Sequence, residues 1–217
     1  MGEPDPRSPR ERYRAQVRAE IKEHAWKQIA AAGVPALSLN AVAKQMGVSG
    51  PALYRYFAGR DELITELIRD AYQSLADTFR VAFAAGADVT GLAHVLRDWA
   101  LEDPQRYFLI YGTPAPGYHA PEDTTRISSQ IMATLLDACA ALASDDPATP
   151  FRAHLEEHRD WADGHPAAPA ALHRALTFWT RLHGVLSLEL AGHFTGMGFD
   201  PALLFAAELD DLLTQRA

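Results

Sequence analysis

The chain has 217 residues, 48% of them hydrophobic and 22% charged, and a net charge of −8. That is enough chain to bury a core in one or two domains, and the composition is globular, neither fibrous nor disordered. A single cysteine, Cys139, excludes a disulfide framework and fits a reducing cytoplasm; no run of about eighteen apolar residues is there to span a membrane, and the polar start MGEPDPRSPRERYR has no apolar centre for a secretory signal.

The charge is unevenly distributed. Residues 1–60 hold ten Lys/Arg and five Asp/Glu, whereas residues 61–217 hold ten Arg and twenty-three Asp/Glu. A basic head on an acidic body suits a reader of DNA, because phosphate contacts supply affinity and the acidic remainder is repelled by the duplex.

Residues 1–9 contain three prolines and read as a disordered arm. With Arg7, Arg10, Arg12 and Arg14 close by, the arm is expected to lie along DNA near the minor groove. Residues 10–32 read as one helix with a buried stripe of Val17, Ile21, Ala25, Trp26 and Ile29; Gly33 and Pro35 end it. The stretch SLNAVAKQMGVSGPALYRYFAGR, residues 38–60, predicts two short helices about a turn at Gly47. Ser38 and Ser49 are placed to cap them, Ala41, Val42 and Met46 form the first apolar face, Val48 points back inward, and Leu53 and Phe57 repeat the face. Two short helices on a glycine turn make a helix-turn-helix, whose second helix enters the major groove.

This run, with the helix before it, resembles the DNA-binding domain of the TetR family of transcription regulators. An alanine and a glycine hold the turn there, here Ala41 or Ala43 and Gly47. A Leu-Tyr-x-x-Phe run ends the recognition helix, here Leu53, Tyr54 and Phe57, and Arg60 stands where the family mostly has lysine. The likeness covers roughly residues 10–85. It implies that Gly50, Pro51, Ala52 and Tyr54 face base edges, while Ser38, Ser49, Tyr56 and Arg60 hold phosphates. Lys44 is a further phosphate candidate, and Arg55 reaches a phosphate or solvent. Pro51 and Ala52 can touch thymine methyls but cannot donate to guanine. With few long polar base readers, part of the specificity is expected from DNA shape.

From Asp61 to Ala85 the pattern Leu63, Leu67, Ile68, Ala71, Leu75, Phe79, Val81, Phe83 predicts one long helix ended by Gly86. It would begin beside the recognition helix and end in a second domain, as a lever containing the domain boundary. Further helices are predicted over 88–102, from Pro104 to about Tyr111, over 123–143, 151–162, 169–194 and 201–215, with breaks at GTPAPGYHAPED, DDPATP, GHPAAP and GMGFDP. No strand-like alternation stands out. The fold class expected is therefore all-α: a disordered arm (1–9), a three-helix DNA-binding domain (10–60), and a helical ligand-binding and dimerisation domain (61–217).

Within RALTFWTRLHGVLSLELAGHF the apolar residues cover nearly the whole circumference of a helix, so it must be buried on all sides. One side is expected to meet its own domain and the other a second copy, joined by the last helix in a two-fold interface through Leu182, Val185, Leu186, Leu190, Leu209 and Leu213. Trp179, His183 and Gly184, with the run YFLIYGTPAPGYHAPED, are similar to a tryptophan–histidine–glycine subgroup of TetR C-terminal domains. A ligand pocket is expected to draw on Trp99, Tyr107, Phe108, Tyr111 and Trp179, with His183 and His94 on apolar faces as core, interface or ligand-contacting histidines. Cys139 reads as a small buried apolar residue.

HLEEH, residues 154–158, matches H-x-x-E-H; on a helix His154 and His158 share a face, with Glu157 adjacent. A solvated charged helix is the plainer reading; a regulatory or adventitious metal is the next, and a metal-dependent hydrolase is the remote alternative. No nucleophile–base pair, phosphate loop or cysteine cluster points to catalysis or to a cofactor. The expected function is a cytoplasmic, non-enzymatic regulator, a repressor, which binds a near-palindromic double-stranded operator as a homodimer and is released by a small hydrophobic effector. The acidic, apolar body favours a neutral or cationic effector over a polyanion. The alternative within the same fold is a DNA-binding dimer that senses no ligand.

Overall fold

The computed structural model describes residues 8–112, 121–142 and 149–214. Most of the expected arm including Arg7, the glycine–proline loop after Gly112, and most of the DDPATP break lie outside these residues. Among the described residues every regular element is helical: α1 (Pro9–Ala32), α2 (Leu39–Gln45), α3 (Gly50–Leu53), α4 (Arg60–Ala84), α5 (Val89–Glu102), α6 (Pro104–Tyr111), α7 (Glu122–Ala140), α8 (Pro150–Glu157), α9 (Pro169–Leu190) and α10 (Pro201–Thr214), with short 3-10 turns at Val34–Ala36 and Asp160–Ala162. None is long and apolar enough to cross a membrane. The chain forms two compact units, Met1–Asp70 and Ala71–Ala217.

In the first unit α1 packs on α2 and on the 3-10 turn, and α2 packs on α3. Ser8 and Glu11 form a capping box that starts α1, satisfying two orphan donors reciprocally. The core gathers Ile21, Ala25, Ile29, Leu39, Val42, Ala43, Leu53, Phe57 and Leu67. Two expectations at the turn are corrected. Ala41 is exposed, and the buried face of α2 is instead Leu39, Val42 and Ala43. Val48 is 41% exposed rather than turned inward. The cause is the helix end itself. Gly47 takes φ +67°, and the Val48 N–H closes on Ala43 O at 3.0 Å while Gly47 N–H closes on Lys44 O at 3.2 Å. This double closure satisfies carbonyls that the helix leaves open, and it directs the next side chain outward.

In the second unit α9 is the axis, packing against α5, α6, α7, α8 and α10. Its buried face is Ala171, Leu172, Ala175, Phe178, Leu182, Val185 and Leu186; each large apolar side chain so enclosed contributes about 1.5–3 kcal/mol. On α4, Leu75, Ala76 and Phe79 join this core, but Val81 and Phe83 are exposed, since they fall off the face that Leu75 and Phe79 share. His94 is likewise exposed, not on a buried face.

Candidate nucleic-acid interface and ligand site

The helix-turn-helix is held from three sides. The Ser38 hydroxyl accepts from Ala41 N–H at 3.4 Å, and its own N–H donates to Gln28 Oε1 at 3.1 Å. Gly50 begins α3 where a Cβ would meet Asn40 Oδ1 at 3.0 Å, so a larger residue would need the Asn40 side chain to shift by a few tenths of an ångström. The third support comes from arginines. Arg14 donates to Arg55 O at 3.4 Å; Arg18 donates to Tyr56 O, stacks on Phe57 at 4.1 Å and pairs with Glu66 at 3.3 Å. Thus the carbonyls just beyond α3, orphaned by so short a helix, are taken up by two side chains of α1.

Ser49 stands at the start of α3 as expected but makes no side-chain cap, and its exposed hydroxyl is left to face outward. With it Lys44, Pro51, Arg55 and Tyr54 (50% exposed) form the open surface of the motif; Gly50, Ala52 and Tyr56 are half-buried. Neither Lys44 nor Arg55 is held by an acidic partner among the described residues, so both cations are available. Arg60 differs. Its Nε donates to Leu37 O at 3.1 Å and its Nη2 to Val34 O at 2.8 Å, clamping the start of α4 to the 3-10 turn. The sequence signal for this was the break at Gly33–Pro35, which leaves carbonyls without helical partners.

In the second unit α6 and α9 bring together five of the six residues expected at a ligand pocket. Tyr107 stacks on His183 with ring centroids 5.6 Å apart; Tyr111 and Trp179 each lie 4.3 Å from the His183 ring; Phe108 sits edge-on to Tyr107 at 5.6 Å. Trp99 is not among them. Its indole N–H donates to Ser74 Oγ at 3.1 Å and its ring is covered by the Arg106 guanidinium at 4.4 Å. The Tyr107 hydroxyl meets His183 Nδ1 at 3.0 Å and Ser187 Oγ at 2.8 Å. Ser187 was not anticipated; it lies one helical turn from His183, and that spacing was the signal available. Burial pushes the Tyr107 hydroxyl up, with the Ser187 bond opposing, and pushes His183 down to about 3. The Tyr111 hydroxyl is pushed well up, first by burial and then by Tyr72 and Tyr107. The ring set is therefore uncharged near neutral pH. His183 Nε2 and Tyr111 Oη are enclosed without a hydrogen-bond partner. Such orphans cost about 1–3 kcal/mol each.

The apolar interface expectation is corrected in part. Leu182, Leu186 and Leu209 are closed off within the single chain, as nearly is Val185, so they have no area left to offer a second copy. Leu190 is half-buried and Leu213 exposed; the outward apolar residues here are Leu188 (45%) and Leu203 (70%). The HLEEH run also departs from a shared helical face. α8 ends at Glu157, His158 leaves the helix, and its ring stacks on His154 at 4.1 Å. No group of three His, Cys, Asp or Glu suited to a metal occurs among the described residues. Cys139 is buried and its thiol is pushed up to about 12 by desolvation, against a smaller opposing effect of Arg174. A cleft of about 290 Å³ lies away from the aromatic set, between α7 and the 160–165 turn, lined by Arg126, Gln130, Asp163 and His165.

Two family models match the chain. One, described as bacterial regulatory proteins of the tetR family, covers residues 21–67; the other, a tetracyclin repressor-like C-terminal domain, covers residues 89–212. The HTH-type transcriptional regulator Rv1816 of Mycobacterium tuberculosis is 35% identical over 211 residues, spanning 90% of each chain. Among solved structures, SCO4313 is 70% identical, covers 96% of this chain and all of its own, and superposes with a TM-score of 0.88. FadR from Bacillus subtilis, solved in complex with stearoyl-CoA, is 12% identical over 90% of this chain and 97% of its own, with a TM-score of 0.60, a likeness of fold alone.

Proposed function

The chain belongs to the TetR family of transcription regulators and binds DNA, and on that premise we propose that it is a cytoplasmic, ligand-responsive repressor acting as a homodimer. Two copies would set their recognition helices about one helical turn of DNA apart, ~34–36 Å, on a near-palindromic operator. Lys44, Ser49, Tyr56 and Arg55 would meet phosphates; Pro51 and Tyr54 would meet base edges, with Gly50 and Ala52 permitting close approach. Leu188, Leu203 and Leu213, exposed on α9 and α10, would be covered by the second copy. A small hydrophobic molecule entering at Tyr107, Phe108, Tyr111, Trp179 and His183 would favour the state with the wrong helix spacing. A differential affinity of a few kcal/mol is sufficient to release an operator.

The observation that carries this reading is the convergence of five expected aromatic and histidine side chains in a unit separate from the helix-turn-helix. The test is selection of bound DNA from a random pool, followed by fluorescence anisotropy on the selected site while hydrophobic compounds are screened. A palindromic consensus whose complex dissociates with one compound class is expected. A consensus bound identically in the presence of every compound that raises the Tm would leave a DNA-binding dimer without a sensor.

A further inference from the structure

The His183 ring is fixed through one nitrogen. The Tyr107 hydroxyl touches Nδ1 at 3.0 Å, the His183 carbonyl at 3.3 Å and Ser187 Oγ at 2.8 Å, so that side of the imidazole is fully engaged. Nε2 on the other side is enclosed and unpartnered, and so is the hydroxyl of Tyr111, whose ring lies 4.3 Å from the imidazole. Buried polar atoms are almost always paired, and two orphans on adjoining rings are a departure that a ligand would resolve. The enclosing surface is aromatic: Trp179 stands 5.6 Å from Tyr111, and Tyr72 stands edge-on to Tyr111 at 6.1 Å. Tyr111 is the last residue of α6 and is half-buried. Two arginines on the flanking helices are already matched. Arg97 forks onto Glu189 at 2.5 and 2.7 Å, and Arg106 pairs with Glu102 at 2.8 Å. A carboxylate would find neither arginine free as a counter-charge, and an anion buried without one is strongly disfavoured.

We propose that His183 Nε2 and Tyr111 Oη are the polar anchor for an uncharged molecule that joins a hydrogen-bonding group, such as an amide, ketone or phenol, to a flat apolar body. This rests on the sensor reading above and narrows its ligand class: carboxylates are excluded. Tyr111 donates, and the neutral imidazole offers Nε2 as donor or acceptor according to tautomer, so one group of either polarity, or a primary amide with both, satisfies the pair.

The experiment titrates the full chain with three probes of nearly one shape: naphthalene carboxamide, naphthalene carboxylate and methylnaphthalene. Binding is followed by tryptophan fluorescence, and the imidazole nitrogens of His183 by NMR. The carboxamide is expected to bind at least about tenfold more tightly than either other probe, the discrimination expected when orphaned groups are met. It should also move the His183 Nε2 resonance. Tyr111→Phe should shrink that preference severalfold while leaving the Tm of the free protein unchanged or higher, because only an orphan is removed. The proposal is overturned by equal or tighter binding of the carboxylate, by a carboxamide preference that Tyr111→Phe preserves, or by no binding of any probe at millimolar concentration. A lower Tm for Tyr111→Phe without any probe preference would mark a buried water as the partner and overturn it equally. The sensor reading fails separately, only if no compound of any class both stabilises the protein and releases its operator.

Discussion

Arg60 stands at the first position of α4 with its guanidinium turned back to two backbone carbonyls, Val34 O and Leu37 O. A side chain so engaged acts first as a clamp on the turn that delivers Ser38 to the start of α2. Truncation to alanine leaves Leu37 O to solvent or to no partner, while Val34 O keeps only the Leu37 N–H at 3.1 Å, so Arg60→Ala should destabilise the first unit by about 1–3 kcal/mol, read from urea denaturation. Lysine carries three donors on one nitrogen but lacks the planar fork that spans both carbonyls, and should fall between. If Arg60→Ala instead preserves stability and only flattens the salt dependence of DNA binding, the side chain is a phosphate contact. His183 gives a residue-scale prediction in pH. Burial depresses its pKa to about 3, whereas an unfolded histidine titrates near 6.5. Below that upper value the unfolded chain binds a proton that the folded chain refuses. The contribution of neutral His183 is therefore complete above about pH 6.5 and is lost progressively as pH falls toward about 3. Replacing His183 with asparagine should flatten the stability profile over that window, measured by urea midpoints at successive pH values; an unchanged profile would place the titration elsewhere.

At the scale of elements, apolar spacing was sufficient to mark each of α4–α7, α9 and α10 within a few residues, because long amphipathic helices repeat their signal several times. Where one or two residues decide, spacing was a poorer guide. Val48 turns outward because the double closure around Gly47 sets its direction, which hydropathy does not encode. Leu182, Leu186 and Leu209 are as apolar as any interface residue, and only the packing of α9 against five other helices reveals that they are already enclosed. The same packing shows which face is left open. Leu188 and Thr180 flank Gly184 at four-residue steps on α9, and all three are exposed; Leu203 is exposed on α10. A glycine at the middle of such a stripe allows a second helix to approach closely. Placing one charge on each helix of the proposed interface, Leu188→Glu with Leu203→Glu, should therefore yield monomers at micromolar concentration by sedimentation velocity, with helix content unchanged by circular dichroism. Persistence of the dimer would move the interface to another face. Leu182→Ala, by contrast, should lower stability by about 2–5 kcal/mol through the cavity it opens, without changing the subunit count at temperatures where the chain stays folded.

For the whole molecule, the basic excess of the first sixty residues divides into two roles. Arg14, Arg18, Lys22, Lys27 and Arg60 are bound to carbonyls or carboxylates of the protein itself, so the charge count that pointed to DNA overstates the number of phosphate contacts. What remains for the duplex on the described surface includes exposed Arg10 on α1 with Lys44 and Arg55 at the motif, joined by neutral hydroxyls and small residues, and such a set grips weakly unless two copies act together. Coupling between that reader and a ligand in the second unit then depends on what joins them. α4 runs without a break from Arg60 to Ala84 across the boundary after Asp70. A continuous helix can transmit a displacement, whereas each glycine in a helix interior costs about 1 kcal/mol and admits bending. Inserting three glycines between Asp70 and Ala71 separates the two properties. Each unit keeps its own core, so the variant should still bind the selected operator, with affinity reduced by the looser spacing of the two readers. A compound that releases the unmodified protein should still raise the Tm of the variant, because the proposed site lies wholly in the second unit, yet it should no longer release the DNA. If release survives the insertion, the signal does not travel along α4, and the sensor must act on the reader through another route.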